Sequence, residues 1–170
     1  ETQMSDLGIE STIGIKEMEF ESPSGETYIS SEIVYKGPDN IFVLGVTRPN
    51  IFIPIGPIDE NIGIGGVAYS ARCITETENT IDFFEQVLEF EIRRDVEFDV
   101  DNRSAINLPE GTTERFIQGF SPGSSSGYVV FMDHGEETKY CEMDCYSAPY
   151  RGIVMWSFPT LNLNEIYERA

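Results

Sequence analysis

Six side chains have the chemistry to hold a small molecule: Ser70, Arg72, Gln118, Tyr128, Met132 and Trp156. Along Gly66 to Cys73, strand alternation puts Ala68, Ser70 and Arg72 on one face and Val67, Tyr69, Ala71 and Cys73 on the other. The second set is bulkier and is expected beneath a helix. That leaves Ser70 and Arg72 on a shared surface with Gln118 of a later strand and with Tyr128, Val130 and Met132 of the next, while Trp156 or Met155 lines it from the C-terminal segment. An Arg beside aromatic and thioether groups suits an organic anion, or an aromatic ring bearing a carboxylate, through a charge-assisted hydrogen bond and stacking. The plainer alternative has Arg72 paired with a local acid and Trp156 in the core.

Other constellations carry less. Asp133-His134 with Ser70 has the residue types of a hydrolase triad, but no G-x-S-x-G turn accompanies it, and a single His just after a strand is expected to be solvated. Ser121 to Gly127 has the Gly and Ser content of a phosphate cradle without a following Lys or helix, so it is expected to be a hairpin loop. Cys141 and Cys145 form a CxxxC that lacks the second pair or the His residues of a tetrahedral zinc site. With Cys73 they make three thiols, too few and too odd for a disulfide framework, and point to a reducing, cytoplasmic compartment. Asp95 to Asp101 alternates acids with apolar residues as a half-exposed strand does, without the Gly and closing Glu of a calcium loop.

The elements that must position these residues are mostly strands. Gly14 to Phe20, Tyr28 to Tyr35 and Asn40 to Gly45 are β-branched or aromatic, bounded by turn residues, and predict a three-stranded meander. Residues 49 to 65, with Pro49, Pro54 and Pro57 and several Gly, predict a linker. A strand ending at Cys73 precedes the best helix, Thr75 to Leu88: Thr75 or Thr77 can cap it, Glu76, Glu78 and Asp82 sit where the helix dipole favours acids, and Ile81, Phe84, Val87 and Leu88 form one stripe. Three further strands, Phe90 to Phe98, Thr113 to Phe120 and Tyr128 to Asp133, complete the unit.

Composition bounds the function. The chain has 170 residues, 40% of them hydrophobic, enough for a real core. Thirty Asp+Glu against 11 Lys+Arg give a net charge of -19, a field that repels phosphate backbones and anionic membrane surfaces, so neither nucleic acid nor membrane is an expected partner. No window approaches the run of about 18 apolar residues that a spanning helix needs. The start, Glu1-Thr2-Gln3-Met4, shows neither an initiator Met nor the order of a secretory signal, which suggests a processed chain or a piece of a longer one.

The strand, helix, three-strand order recurs incompletely on both sides of residues 66 to 134. Leu7-Gly8-Ile9-Glu10 echoes Leu88-Glu89-Phe90-Glu91, and Gly152 to Phe158 followed by Leu161 to Glu168 looks like a first strand and the start of a helix. The division this suggests is a partial module over 1–48, a linker over 49–65, a complete module over 66–134, and over 135–170 a linker with the first strand and helix of a further module, which can complete the first.

Asp82-Phe83-Phe84-Glu85-Gln86-Val87-Leu88-Glu89-Phe90 resembles the helix-to-strand phrase of the vicinal oxygen chelate superfamily, which includes glyoxalase, bleomycin-resistance, fosfomycin-resistance and extradiol-dioxygenase proteins. Glu89 stands where that family usually has Gly. The resemblance implies an α+β fold of paired βαβββ modules forming a curved mixed sheet around a cleft, as a homodimer or part of a longer multi-module chain. Many members hold a divalent metal through a His opening the first strand. Here that position falls on Gly65 or Gly66, or on Arg151 or Gly152, and the one His is His134, so no metal and no cofactor are expected. The function implied is binding of a small organic molecule in the cleft, as bleomycin-resistance proteins do. The alternatives are a metal-dependent lyase, isomerase or ring-cleaving dioxygenase with carboxylate ligands, or a purely structural module.

Overall fold

The computed structural model describes residues 11–21, 26–37, 42–47, 61, 65–100, 108, 111–124, 127–135 and 155–170. The linker expected over 49–65 lies almost wholly outside them, as do Leu7 to Glu10, Arg151 to Val154 and the Cys141/Cys145 pair. Among the described residues the protein is strand-rich, with one antiparallel and one mixed sheet. No helix among them is long and apolar enough to cross a membrane.

The first sheet is the expected meander, β1 (Ser11–Glu21), β2 (Thr27–Lys36) and β3 (Phe42–Thr47), in the order β1-β2-β3. A bulge between Ser11 and Ile15 is where Gly14 takes φ 69°, and its N–H is held by Ser11 Oγ at 3.1 Å. Val34 and Tyr35 are buried, and Ser30 is fully enclosed, its hydroxyl donating to Glu32 Oε1 at 3.3 Å.

The second sheet contains β4 (Tyr69–Cys73), β5 (Glu91–Asp99), β6 (Thr113–Phe120) and β7 (Tyr128–Asp133), in the order β4-β7-β6-β5. β4 runs parallel to β7, whereas β5, β6 and β7 pair antiparallel. The parallel pair needs a crossover, and α1 (Thr77–Asp82), continuing into a π-helical turn (Phe83–Val87), supplies it. The stretch expected to be a hairpin loop connects β6 to β7, with Ser124 N–H donating to Ser121 O at 3.0 Å. β5 alternates half-buried and exposed residues from Glu91 to Glu97, as its mixed acidic and apolar sequence predicts.

Two clusters divide the apolar residues by sheet face. On the helix face, Phe84, Phe90, Ile117, Val129 and Phe131 form the core, with Ile74, Ile81, Leu88, Ile92 and Trp156 packed on it. Phe84 is its centre, with ring centroids 4.7 Å from Phe131 and 5.2 Å from Phe90. On the other face, here called the far face, Phe120, Tyr128 and Val130 pack with Tyr69, Ala71, Phe116 and Met132.

Two local expectations are corrected. The α1 N-cap is Glu76, without a side-chain cap bond, because the Thr77 hydroxyl donates instead to Asp133 Oδ2 at 2.6 Å and ties the helix start to the end of β7. Residues 155–158, expected in a strand, have no regular structure; Trp156 and Phe158 pack edge-on against Phe84 at 6.2 Å. The following helix, α2 (Leu163–Arg169), also sits on this unit, through an Arg169–Glu89 ion pair.

The helix ends with Glu89 at φ 59°. Leu88 N–H bonds to Phe83 O and Phe90 N–H to Phe84 O, so the closure of the helix end is one residue wider than an α-helical one. Few side chains tolerate that backbone region, and Gly does so best.

Candidate functional site

The β4–β7 register pairs Ser70 with Val129 and Arg72 with Phe131. Both partners belong to the helix-face core, so Ser70 and Arg72 point toward the helix, the reverse of the sequence expectation. Tyr69, Ala71 and Cys73 take the far face, opposite Tyr128, Val130 and Met132. A side-chain period of two makes a strand all-or-nothing in this respect. Gln118 pairs with Val130 and therefore shares the far face with Tyr128 and Met132. Trp156 lies with the helix-face core, its indole N–H buried and without a hydrogen-bond partner. Of the six candidates, Gln118, Tyr128 and Met132 are thus brought together, while Ser70, Arg72 and Trp156 lie on the other side of the sheet.

One end of the far face is aromatic. Tyr69, Tyr128 and Phe120 stack in series, centroids 5.0 Å and 4.6 Å apart and planes 20° and 25° from parallel. A bulge between Ile92 and Arg94 shifts the register of β5 against β6. The Arg93 guanidinium carbon stands 4.3 Å from the Phe120 ring centre, and that of Arg94 stands 5.7 Å from Phe116. Guanidinium groups over ring faces are held by the ring quadrupole and stay oriented for an anion. Arg93 also bonds Glu91 Oε2 through Nη2 at 2.7 Å.

The other end of the same face is polar and buried. Glu114 lies in β6 just after its first residue, His134 follows β7 and Cys73 closes β4. His134 Nε2 lies 3.0 Å from Glu114 Oε2, with the two side chains 1% and 11% exposed. The sequence expectation of a solvated His is therefore corrected: the β6–β7 pairing folds this residue inward, where a buried carboxylate receives it. Burial disfavours the imidazolium, but hydrogen bonds and charge interactions with Cys73 and Glu114 outweigh it and raise the His134 pKa to about 9. Cys73 is a half-buried free thiol. The neighbouring Asp133 bonds Thr77 through one oxygen and accepts the Gly135 N–H at 2.9 Å with the other.

Sequence reasoning missed this group because its members lie 20 or more residues apart, and only the strand register joins them. Parity could have found it, since Glu114 shares the face of Gln118, His134 that of Met132, and Cys73 that of Tyr69. Among the described residues no cluster of three His, Cys, Asp or Glu side chains is arranged to hold a metal ion. A depression at Leu161 to Glu165, around the start of α2, shares no residue with the far face.

The chain matches no family model, no curated protein and no solved structure.

Proposed function

We propose that the second sheet binds a small organic molecule, aromatic or carboxylate-bearing, on its far face, and that the chain is a metal-independent binding member of the vicinal oxygen chelate superfamily. The observation that carries this is the convergence on one face of the stacked rings of Tyr69, Tyr128 and Phe120 with the Arg93 and Arg94 guanidinium groups, Gln118 and Met132. Rings offer stacking, and the guanidinium and amide groups fix the orientation of an anion.

Three features support the family part of the proposal. Helix and strands follow in the order β4, α1, β5, β6, β7; the first strand lies parallel beside the last; and Glu89 takes a positive φ where the family's phrase has Gly. The paired-module cleft, its closure by a second copy or a longer chain, and action in a reducing cytoplasm belong to the same proposal.

The test is a titration of the full chain with a panel of aromatic carboxylates, benzoate and 2-naphthoate among them, followed by amide and side-chain NMR shifts. Saturable shifts confined to the second sheet, β4 to β7, abolished in Arg94→Ala and in Tyr69→Ala but retained in Trp156→Phe, are expected. Absence of saturation across the panel, or shifts that survive both far-face variants, would refute the proposal.

A further inference from the structure

We propose that residues 155–170 form a detachable strap, and that the aromatic surface beneath it is a seat for a segment carrying two aromatic side chains at positions i and i+2. The segment seated there is the chain's own, Trp156-Ser157-Phe158. The seat lies across the sheet from the far face, so the inference does not depend on what the far face binds.

Phe84 meets both rings of the strap, Trp156 and Phe158, at 6.2 Å and nearly perpendicular, at 81° and 89°. Trp156 also meets Phe131 of β7 at 6.0 Å, and Phe158 meets Phe90 at 5.2 Å. The two rings thus divide the seat, with Phe84 shared between them. Ser157, the residue between, is exposed. Edge-to-face contacts favour aromatic side chains beyond the area they bury, and alternate side chains are how a surface reads a short segment.

Little else holds the strap. Among the described residues, one hydrogen bond joins residues 155–170 to the rest of the chain, from Arg169 to the Glu89 carboxylate, which is 60% exposed. The strap belongs to neither sheet among those residues, so it leaves without breaking a strand pairing. Docking also buries the Trp156 indole N–H and the Arg169 Nε without hydrogen-bond partners. Both regain water when the strap lifts, which offsets part of the gain from burying the rings. Most of its other apolar side chains take no part: Met155 is 75%, Leu161 102%, Leu163 70% and Tyr167 82% exposed. Two rings and one surface ion pair are the attachment of a segment that opens locally, ahead of the sheet. Lifting it uncovers Phe84 and Phe90, which the bond from Phe90 N–H to Phe84 O joins across the end of the π-helical turn, so occupancy of the seat bears on the helix end.

The experiment uses the full chain carrying Trp156→Ala and Phe158→Ala together, which removes its one Trp, and a synthetic peptide of residues 155–170, which then holds the only indole in the sample. Saturable binding is expected, read as a blue shift of the peptide emission and as NMR shifts at Phe84, Phe90 and Phe131 of the labelled chain. The wild type, whose own strap holds the seat at high effective concentration, is expected to bind the peptide at least about tenfold more weakly. A peptide with both rings replaced by alanine is expected not to bind. No saturation with a variant that circular dichroism shows to be folded overturns the proposal, as does equal affinity for variant and wild type, or equal binding of the peptide without rings. Where the variant fails to fold, hydrogen exchange at the wild-type Trp156 indole N–H decides. Protection at least about tenfold below that of the slowest β6 and β7 amides is expected, and equal protection, meaning that the strap leaves only with global unfolding, overturns the proposal.

Discussion

His134 and Glu114 meet at 3.0 Å with both side chains withdrawn from water, so the pair is a buried proton-binding site. The His134 pKa is raised from 6.5 to about 9. The folded state therefore binds this proton more tightly than the unfolded chain. The stability it adds is fully present below about pH 6.5 and is lost as pH rises toward about 9, and its size is on the order of 3 kcal/mol. Chemical denaturation at a series of pH values is expected to show wild-type stability falling across that window, with a much smaller fall in His134→Gln. Equal slopes in the two proteins would contradict the assignment.

Arg115 links three elements. Its Nη1 lies 2.5 Å from Glu78 of α1 and its Nη2 lies 2.7 Å from Asp95 of β5, while its own strand is β6. The hydrogen bond from Arg115 holds the Asp95 carboxyl below its usual range, against a smaller opposing effect of burial. A depressed carboxylate adds stability that is present above its unfolded value and lost as pH falls through its folded one. Because Glu78 is 76% and Asp95 37% exposed, solvent screens the pairs, and Arg115→Gln is expected to cost only about 1 kcal/mol at neutral pH. The cost should shrink as pH falls below the ordinary Asp value of 3.8, read from urea midpoints at neutral and at acid pH. A loss above about 3 kcal/mol would mean that the side chain is worth more as packing than as charge.

The strands of the second sheet were legible because turn residues flank clean alternation, and β6 and β7 have the bounds their sequences predict. The face taken by β4 was not. Bulk assigned Tyr69 to the helix side, but Phe84, Ile81, Leu88 and Trp156 already fill that side, and Tyr69 finds its stacking partner in Tyr128. Strand parity cannot tell which face a helix will cover when both sets are partly apolar. The fate of Trp156 was hidden for a related reason: nothing local in Met155-Trp156-Ser157-Phe158 says which distant surface an aromatic pair will join. His134 was misjudged because the cost of burying it is met by Glu114, twenty residues earlier in the chain.

Phe84 is 6% exposed and meets Phe90, Phe131, Trp156 and Phe158 edge to face. Phe84→Ala removes the ring at the centre of that cluster and is expected to cost about 3–5 kcal/mol, a large share of the stability of an ordinary domain. Phe83, its neighbour in sequence, is 46% exposed, and Phe83→Ala should cost less than about 1.5 kcal/mol. Thermal unfolding of the two variants side by side checks the register of the helix. A reversed order would place the helix stripe on the wrong side.

Glu89 holds φ 59° at the end of the π-helical turn, where a side chain costs about 1 kcal/mol relative to Gly. Its carboxylate is 60% exposed and pairs with Arg169, a partnership worth at most a few tenths to about 1 kcal/mol at the surface. The two effects oppose each other, and Arg169 contacts no other described acid by ion pairing. Glu89→Gly relieves the backbone and breaks the pair, so its net effect should be small. Arg169→Gln separates the two, because it leaves the backbone as it is. In an Arg169→Gln background the second change, Glu89→Gly, should therefore stabilise by about 0.5–1 kcal/mol, more than it does in the wild type. The difference measures the link between α2 and the helix end. Denaturation of the wild type, the two single variants and the double variant completes the cycle, and a gain that is identical in both backgrounds would mean that α2 draws no stability from Glu89.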